Sequence, residues 1–103
     1  MQQFLKAVLG APLQMAVFQK AFVLIKVKPG KERQVMDALM RIPEVTEVHI
    51  VPGVWDLLAV VVSKKEVAIG GDEKVYRLVL EKIEKIKHVE DTNTMVSQFS
   101  KTK

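Results

Sequence analysis

The chain has 103 residues, of which 16 are basic and 12 acidic, and its formal net charge at pH 7 is +4. This length fits one domain, because each of two smaller units would bury too little apolar surface to be stable. Cysteine is absent, which excludes disulfide frameworks, thiolate zinc sites, iron–sulfur clusters and cysteine nucleophiles, and suits the reducing cytoplasm.

Residues 1–19 differ in pattern from the rest of the chain. The stretch 5–18 is apolar, but Gly10, Pro12 and Gln14 interrupt it. It is therefore too short and too broken to cross a membrane, and we expect no membrane partner. We interpret residues 1–19 as an N-terminal arm or a start-site extension, and residues 20–103 as one domain.

The remainder of the chain contains four strand patterns and two helix patterns. Strands are indicated by alternation and β-branched residues, helices by apolar residues three and four apart, and boundaries by Pro and Gly. In chain order the predicted elements are strand 20–28, helix 31–42, strand 45–51, strand 55–63, helix 72–87 and strand 89–99, with a polar connection over 64–72. The order βαββαβ predicts an α+β, ferredoxin-like domain, in which a four-stranded antiparallel sheet carries both helices on one face.

The face of the sheet without helices is also predicted to be apolar. An antiparallel sheet with one wet face should alternate apolar and polar residues, yet the first strand places Phe22 and Leu24 on its second face, and strand 55–63 is apolar on both faces. Apolar patches of this size mark interfaces. We predict a second subunit on this face, giving a dimeric α/β barrel; the alternative is that the N-terminal arm covers it.

The sequence offers few catalytic groups. Its two histidines, His49 and His88, are interpreted as an exposed strand residue and as a helix C-terminal residue favoured by the helix dipole. Neither lies at a metal-ligand spacing, so we expect no catalytic residues, no metal and no cofactor. The basic residues are interspersed with acidic ones, and no basic recognition helix is present, so we expect no direct sequence-specific binding to nucleic acid.

One carboxylate and two threonines are candidates for ligand binding. Asp56 opens an otherwise apolar strand, where an unpaired carboxylate would be costly. It either caps the turn at Pro52 and Gly53 or receives an ammonium or hydroxyl group of a ligand, with Trp55 as an apolar wall. Thr92 and Thr94 share one face of the last strand; they are either ordinary sheet residues or hydroxyl donors for a carboxylate.

Three segments resemble one family: AFVLIKVKPGKE, IPEVTEVHIVPGVWDLLAVVV and LEKIEKIKHVEDTNTMV. They are similar to the effector-binding module of the Lrp/AsnC transcriptional regulators, known as the RAM domain, over about residues 20–99. The most specific pieces are the Gly-x-aromatic-Asp turn at 53–56 and the Val-x-x-Thr-x-Thr strand at 89–94. The resemblance implies dimers that assemble into rings, an octamer among them, with amino-acid effectors bound between dimers. The ligand-binding residues that it implies here are Gly53, Val54, Trp55, Asp56, Thr92 and Thr94.

The family's helix-turn-helix half, about 50–60 residues ahead of the module, has no room in this sequence. We therefore expect an oligomeric amino-acid-sensing module that modulates full-length Lrp/AsnC-type regulators. The alternatives are a small dimeric α/β-barrel enzyme resembling monooxygenases and a ligand-free structural oligomerisation protein. The enzyme is disfavoured because the predicted helix faces toward the sheet are plain aliphatic.

Overall fold

The computed structural model describes residues 17–65 and 71–103. The predicted order of elements is confirmed. A π-helical turn, Val79–Ile83, directly continues the second helix. The elements are β1 (Val17–Val27), α1 (Glu32–Met40), β2 (Val45–Ile50), β3 (Leu57–Lys65), α2 (Gly71–Leu78) and β4 (Val89–Val96).

The four strands form one antiparallel sheet in the order β2-β3-β1-β4. β1 is therefore central, and its Ile25 lies opposite Leu57 of β3 and Thr92 of β4. The register shifts between Val45 and Glu47 of β2, and between Lys26 and Val27 where β1 meets β4. This strand order, with both helices packed into one core, confirms the predicted ferredoxin-like α+β fold.

The core lies between the helices and one face of the sheet. The alternation predicted for β1 is confirmed, since Ala21, Val23, Ile25 and Val27 are all at most 2 % exposed. Val35 and Leu39 of α1 and Ile83 of the π-helical turn complete the same core. Burying each of the larger aliphatic side chains stabilises the fold by about 1.5–3 kcal/mol.

Both helices differ from their predicted extents. α1 ends at Met40 instead of residue 42, because the N–H groups of Arg41 and Ile42 donate to carbonyls three residues back, at 3.2 and 3.0 Å, and tighten the chain before Pro43. The predicted helix 72–87 is α-helical only to Leu78. Glu84 N–H then donates to the Val79 carbonyl at 2.9 Å, which is the five-residue spacing of a π-helix.

Three strand boundaries also differ from prediction. β1 begins at Val17 instead of residue 20, because Val17 and Phe18 pair with the equally extended end of β3. β3 covers Leu57–Lys65 instead of 55–63, and β4 ends at Val96 instead of 99. Residues 1–16 of the predicted arm and residues 66–70 of the predicted connection lie outside the described residues.

The second face of the sheet, which we call the open face, has an apolar centre. Phe22 lies beside Val60 and Met95, and Leu24 lies beside Leu58. Phe18 and Met95 are 60 % and 44 % exposed, whereas Val60 is only 6 % exposed. The predicted two-faced apolar character of β1 and β3 is therefore confirmed, and the described part of the chain leaves much of the open face uncovered.

Candidate ligand-binding site

The chain turns between β2 and β3 through the Pro52-Gly53 pair. Gly53 has φ +137°, a backbone conformation that residues with a Cβ rarely adopt and glycine adopts readily. The turn is closed by Val51 N–H, which donates to the Asp56 carbonyl at 2.9 Å. The sequence signal for a turn at this point is confirmed, and the turn brings Asp56 to the start of β3.

Asp56 is tied to β1 through both its backbone and its side chain. Its N–H donates to the Ile25 carbonyl at 3.0 Å, and its Oδ2 accepts the Val27 N–H at 2.9 Å. Val27 is the residue at which the β1–β4 register shifts, so this N–H lies at an irregular point of the sheet. The carboxylate therefore caps a strand end 29 residues away along the chain, whereas the expected structural role was to cap its own turn.

A hollow of about 430 Å³ lies beside the turn, and Asp56 and Gly53 line it together with residues of α1 and β2. It combines carboxylates from Glu32 and Asp56 with the guanidinium of Arg33, so both signs of a zwitterion find a counterpart in it. Its full lining is Glu32, Arg33, Ile50, Pro52, Gly53 and Asp56. We call it the turn hollow.

The lining of the turn hollow differs from the sequence prediction in two respects. Its apolar wall comes from Ile50 and Pro52, and the expected wall residue Trp55 is absent from the lining. Val54 is 80 % exposed, and its carbonyl accepts a hydrogen bond from Lys26 Nζ at 3.4 Å. Sequence reasoning missed Arg33; the available signal was its position in the first turn of a helix that begins after Pro29-Gly30.

The two threonines of β4 line a different hollow, of about 320 Å³, against α2 and the π-helical turn. Thr92 Oγ1 donates to Glu84 Oε2 at 2.5 Å, so its proton is committed to a carboxylate rather than offered to a ligand. Tyr76 and Leu80 supply an exposed apolar wall. This threonine hollow therefore favours a cationic group near Glu84 over the carboxylate expected from the sequence.

The turn hollow and the threonine hollow lie on opposite sides of β1. Leu57 and Thr92 both pair with Ile25, so the strands that carry the two groups are separated by two strand spacings, about 9–10 Å. Within one protomer Asp56 and Gly53 line one hollow, and Thr92 and Thr94 line the other. A single site that uses both sets requires residues from two protomers.

The two histidines occupy contrasting environments. His49 Nε2 lies 3.0 Å from Glu47 Oε1 on the exposed side of β2, which agrees with its interpretation as an exposed strand residue. His88 follows the second helical segment with φ 78°. Burial lowers its pKa, as do the neighbouring charges of Lys31, Lys87 and Lys28. Burial and the lysine charges both oppose the helix-dipole interaction, which favours the charged form of His88.

Across residues 17–65 and 71–103, no group of three or more His, Asp or Glu side chains is placed to hold a metal ion. None of the helices in these ranges combines the length and apolar composition needed to span a bilayer.

Comparisons with known proteins agree with the fold. The family model for the Lrp/AsnC ligand binding domain matches residues 20–101. An uncharacterised HTH-type transcriptional regulator of Pyrococcus abyssi is 41% identical over 80 residues, which are 75% of this chain and 49% of that protein. This chain thus spans about half the length of that regulator.

Two solved structures illustrate the range of similarity. FFRP-DM1 is 33% identical with a TM-score of 0.65, and the match covers 77% of this chain and 97% of that one. A transcriptional regulator of Neisseria meningitidis, solved as an L-Met complex, shares the fold at 15% identity and a TM-score of 0.68, over 99% of this chain and 69% of that one. With the family model matching most of its length, this chain belongs to the Lrp/AsnC ligand-binding domain family.

Proposed function

We propose that the chain is an oligomeric amino-acid-sensing module that modulates Lrp/AsnC-type transcriptional regulators in the cytoplasm. The observation that carries the proposal is the turn hollow, where Asp56, Glu32 and Arg33 present both signs of charge beside an apolar wall. A free amino acid is the smallest common metabolite that needs an anion for its ammonium group and a cation for its carboxylate. The Neisseria regulator in its L-Met complex supports an amino acid as the effector class.

Four of the six lining residues have a defined role in the proposed site. Asp56 receives the ammonium group through a charge-assisted hydrogen bond, because the Val27 N–H engages only one of its two oxygens. Arg33 pairs with the carboxylate, for which a planar guanidinium is well suited. Gly53 lets the ligand approach the backbone, and Ile50 contacts an apolar effector side chain.

The remaining predicted residues belong to this proposal through a second protomer. Thr92 and Thr94 reach the effector only if the threonine hollow of a neighbouring copy abuts the turn hollow, since one protomer keeps the two apart. Val54 and Trp55 lie in the same turn outside the hollow, and contact the neighbour or the effector in that arrangement. A ring of dimers, an octamer among the possibilities, provides such contacts.

The open face supports dimerisation as the first step of assembly. Two copies that pack sheet on sheet would bury Phe18, Phe22, Leu24 and Met95, and a stable interface needs more than roughly 1,000 Å². Phe18 and Met95 are exposed to solvent in one chain, and this packing would remove the unfavourable free energy of that exposure.

A sensing role is better supported than an enzymatic one. The relatives are transcriptional regulators, and the core that the helices and the sheet share in the described residues consists of aliphatic side chains, which offer no group for the acid–base or redox chemistry of a monooxygenase-like enzyme. FFRP-DM1, matched over 97% of its chain, is a solved chain of about the extent of this domain.

The proposal is tested by calorimetry of the chain against the twenty amino acids, with Asp56→Asn as the site variant. Asp37→Asn is the matched control, because Asp37 is an exposed carboxylate of α1 outside the hollow. At least one amino acid should bind the wild type and Asp37→Asn equally, and Asp56→Asn at least tenfold more weakly. If none of the twenty binds, the sensing role is wrong and a structural oligomerisation role replaces it.

A further inference from the structure

A third hollow, of about 500 Å³, lies on the opposite flank of α1 from the turn hollow. Its lining is Lys31, Gln34, Ala38, Ile86, Lys87 and His88. These residues supply two ammonium groups, an amide and an imidazole, and no carboxylate. The turn hollow contains Glu32 and Asp56, and the threonine hollow contains Glu84. We call this third one the basic hollow, since it alone of these three has lysines and no carboxylate in its lining.

Backbone hydrogen bonds join the two segments of the chain that carry the cationic residues of the basic hollow. Lys28 N–H donates to the His88 carbonyl at 3.0 Å, and Lys31 N–H donates to the Lys28 carbonyl at 3.0 Å. These two bonds tie the start of α1 to the turn that carries Lys87 and His88. His88 adopts φ 78°, a conformation uncommon for a residue with a side chain, so its position is set by these tertiary contacts.

Three lysines near the basic hollow all affect the same group, the imidazole of His88. Lys31, Lys87 and Lys28 each contribute, after burial, to the lowered pKa of His88. Each of these positive charges therefore disfavours the protonated imidazole. An anion placed there would relieve this repulsion and would receive several charge-assisted hydrogen bonds, which are stronger than bonds between neutral groups.

The geometry points to a binding site in the basic hollow for the phosphate group of a small metabolite. Lys31 and Lys87 pair with the phosphate as point charges, the Gln34 amide donates to it, and Ala38 and Ile86 contact the rest of the molecule. The volume lies in the range of small-molecule sites, about 300–1,000 Å³. The phosphate site shares no residue with the proposed amino-acid site, so a negative result for one proposal does not contradict the other.

The test uses inorganic phosphate as the probe and the two histidines as reporters. Imidazole NMR signals of the full chain are followed during a phosphate titration, with sodium chloride holding the ionic strength constant. The His88 signals should shift saturably, and the pKa of His88 should rise when phosphate is bound, because a nearby negative charge favours the protonated imidazole. His49, which pairs with Glu47 on β2, should not respond.

Variants identify the groups responsible. The double variant Lys31→Gln/Lys87→Gln should weaken phosphate binding by about tenfold or more, because two charge-assisted contacts are lost. Lys101→Gln removes a charge from the exposed C-terminal residues and should leave the affinity within about twofold, since its position is outside the hollow.

Three outcomes would overturn the proposal. His88 could give no saturable response to phosphate, or the same response to chloride alone. Lys101→Gln could weaken binding as much as the double variant, which would indicate only general attraction to a basic chain. A short DNA duplex, at equal phosphate concentration, could shift His88 more strongly than inorganic phosphate does, which would assign the hollow to nucleic-acid backbone instead of a metabolite.

Discussion

Replacement of Asp56 by alanine should destabilise the fold. The lost contact is the 2.9 Å hydrogen bond from Val27 N–H to Oδ2, and alanine would leave that half-buried N–H without its partner. An orphaned polar group of this kind costs about 1–3 kcal/mol, and partial exposure of the site favours the lower half, about 1–2 kcal/mol. For a domain of this size, the melting temperature should fall by about 5–15 °C.

The matched variant Asp56→Asn separates the structural role from ligand binding. Asparagine keeps an oxygen that can accept the Val27 N–H, so we expect it to lose less than about 1 kcal/mol. It removes the charge proposed for the effector ammonium, so both variants should lose amino-acid binding. Thermal and urea melts measure the first effect and calorimetry the second. If Asp56→Ala melts at the wild-type temperature, the argument that this carboxylate caps the end of β1 is refuted.

Three further outcomes are expected. Leu24→Asp on the open face should convert a dimer or larger assembly into a monomer of retained helicity, as seen by light scattering and circular dichroism; a wild-type chain that is already monomeric at micromolar concentration would contradict this. The pKa of His88 is lowered in the folded state, so the unfolded chain binds more protons than the folded chain below about pH 6.5. The free energy of unfolding should therefore decrease as the pH falls through that range. It should decrease less steeply in His88→Asn, because asparagine tolerates the same backbone conformation. The isolated chain should bind duplex DNA weakly, without sequence preference and with steep salt dependence, because its dispersed charge acts only through counterion release; nanomolar sequence-specific binding at physiological salt would refute this.

Local patterns were sufficient to predict the fold but not the partners of the site residues. Alternation in β1 and the helical spacing of Val35 and Leu39 reflect which side chains must be buried, and burial is confirmed at each of these positions. The Asp56 carboxylate, in contrast, bonds to Val27, 29 residues away. A sequence shows that such a group needs a partner but does not show which backbone group the fold brings to it.

The π-helical turn and the threonine hollow were beyond sequence reasoning for a related reason. Val75, Val79 and Ile83 are four residues apart, which fits an ordinary α-helix equally well, so no signal marks the wider turn. That turn leads directly into Glu84, which accepts the Thr92 hydroxyl. The role expected for Thr92, donation to a ligand carboxylate, therefore changes once its tertiary neighbour is known.

The strand order also bears on which surfaces of the chain could pair with other copies. β2 and β4 are the sheet edges, where unpaired backbone groups could recruit another strand. β2 is only six residues long and has a register shift, and β4 carries the exposed charges of Glu90 and Asp91; both are features that discourage strand addition. The apolar surface lies instead on the open face of the central strands. Contact through a face closes after two copies, whereas edge-to-edge pairing could repeat without limit.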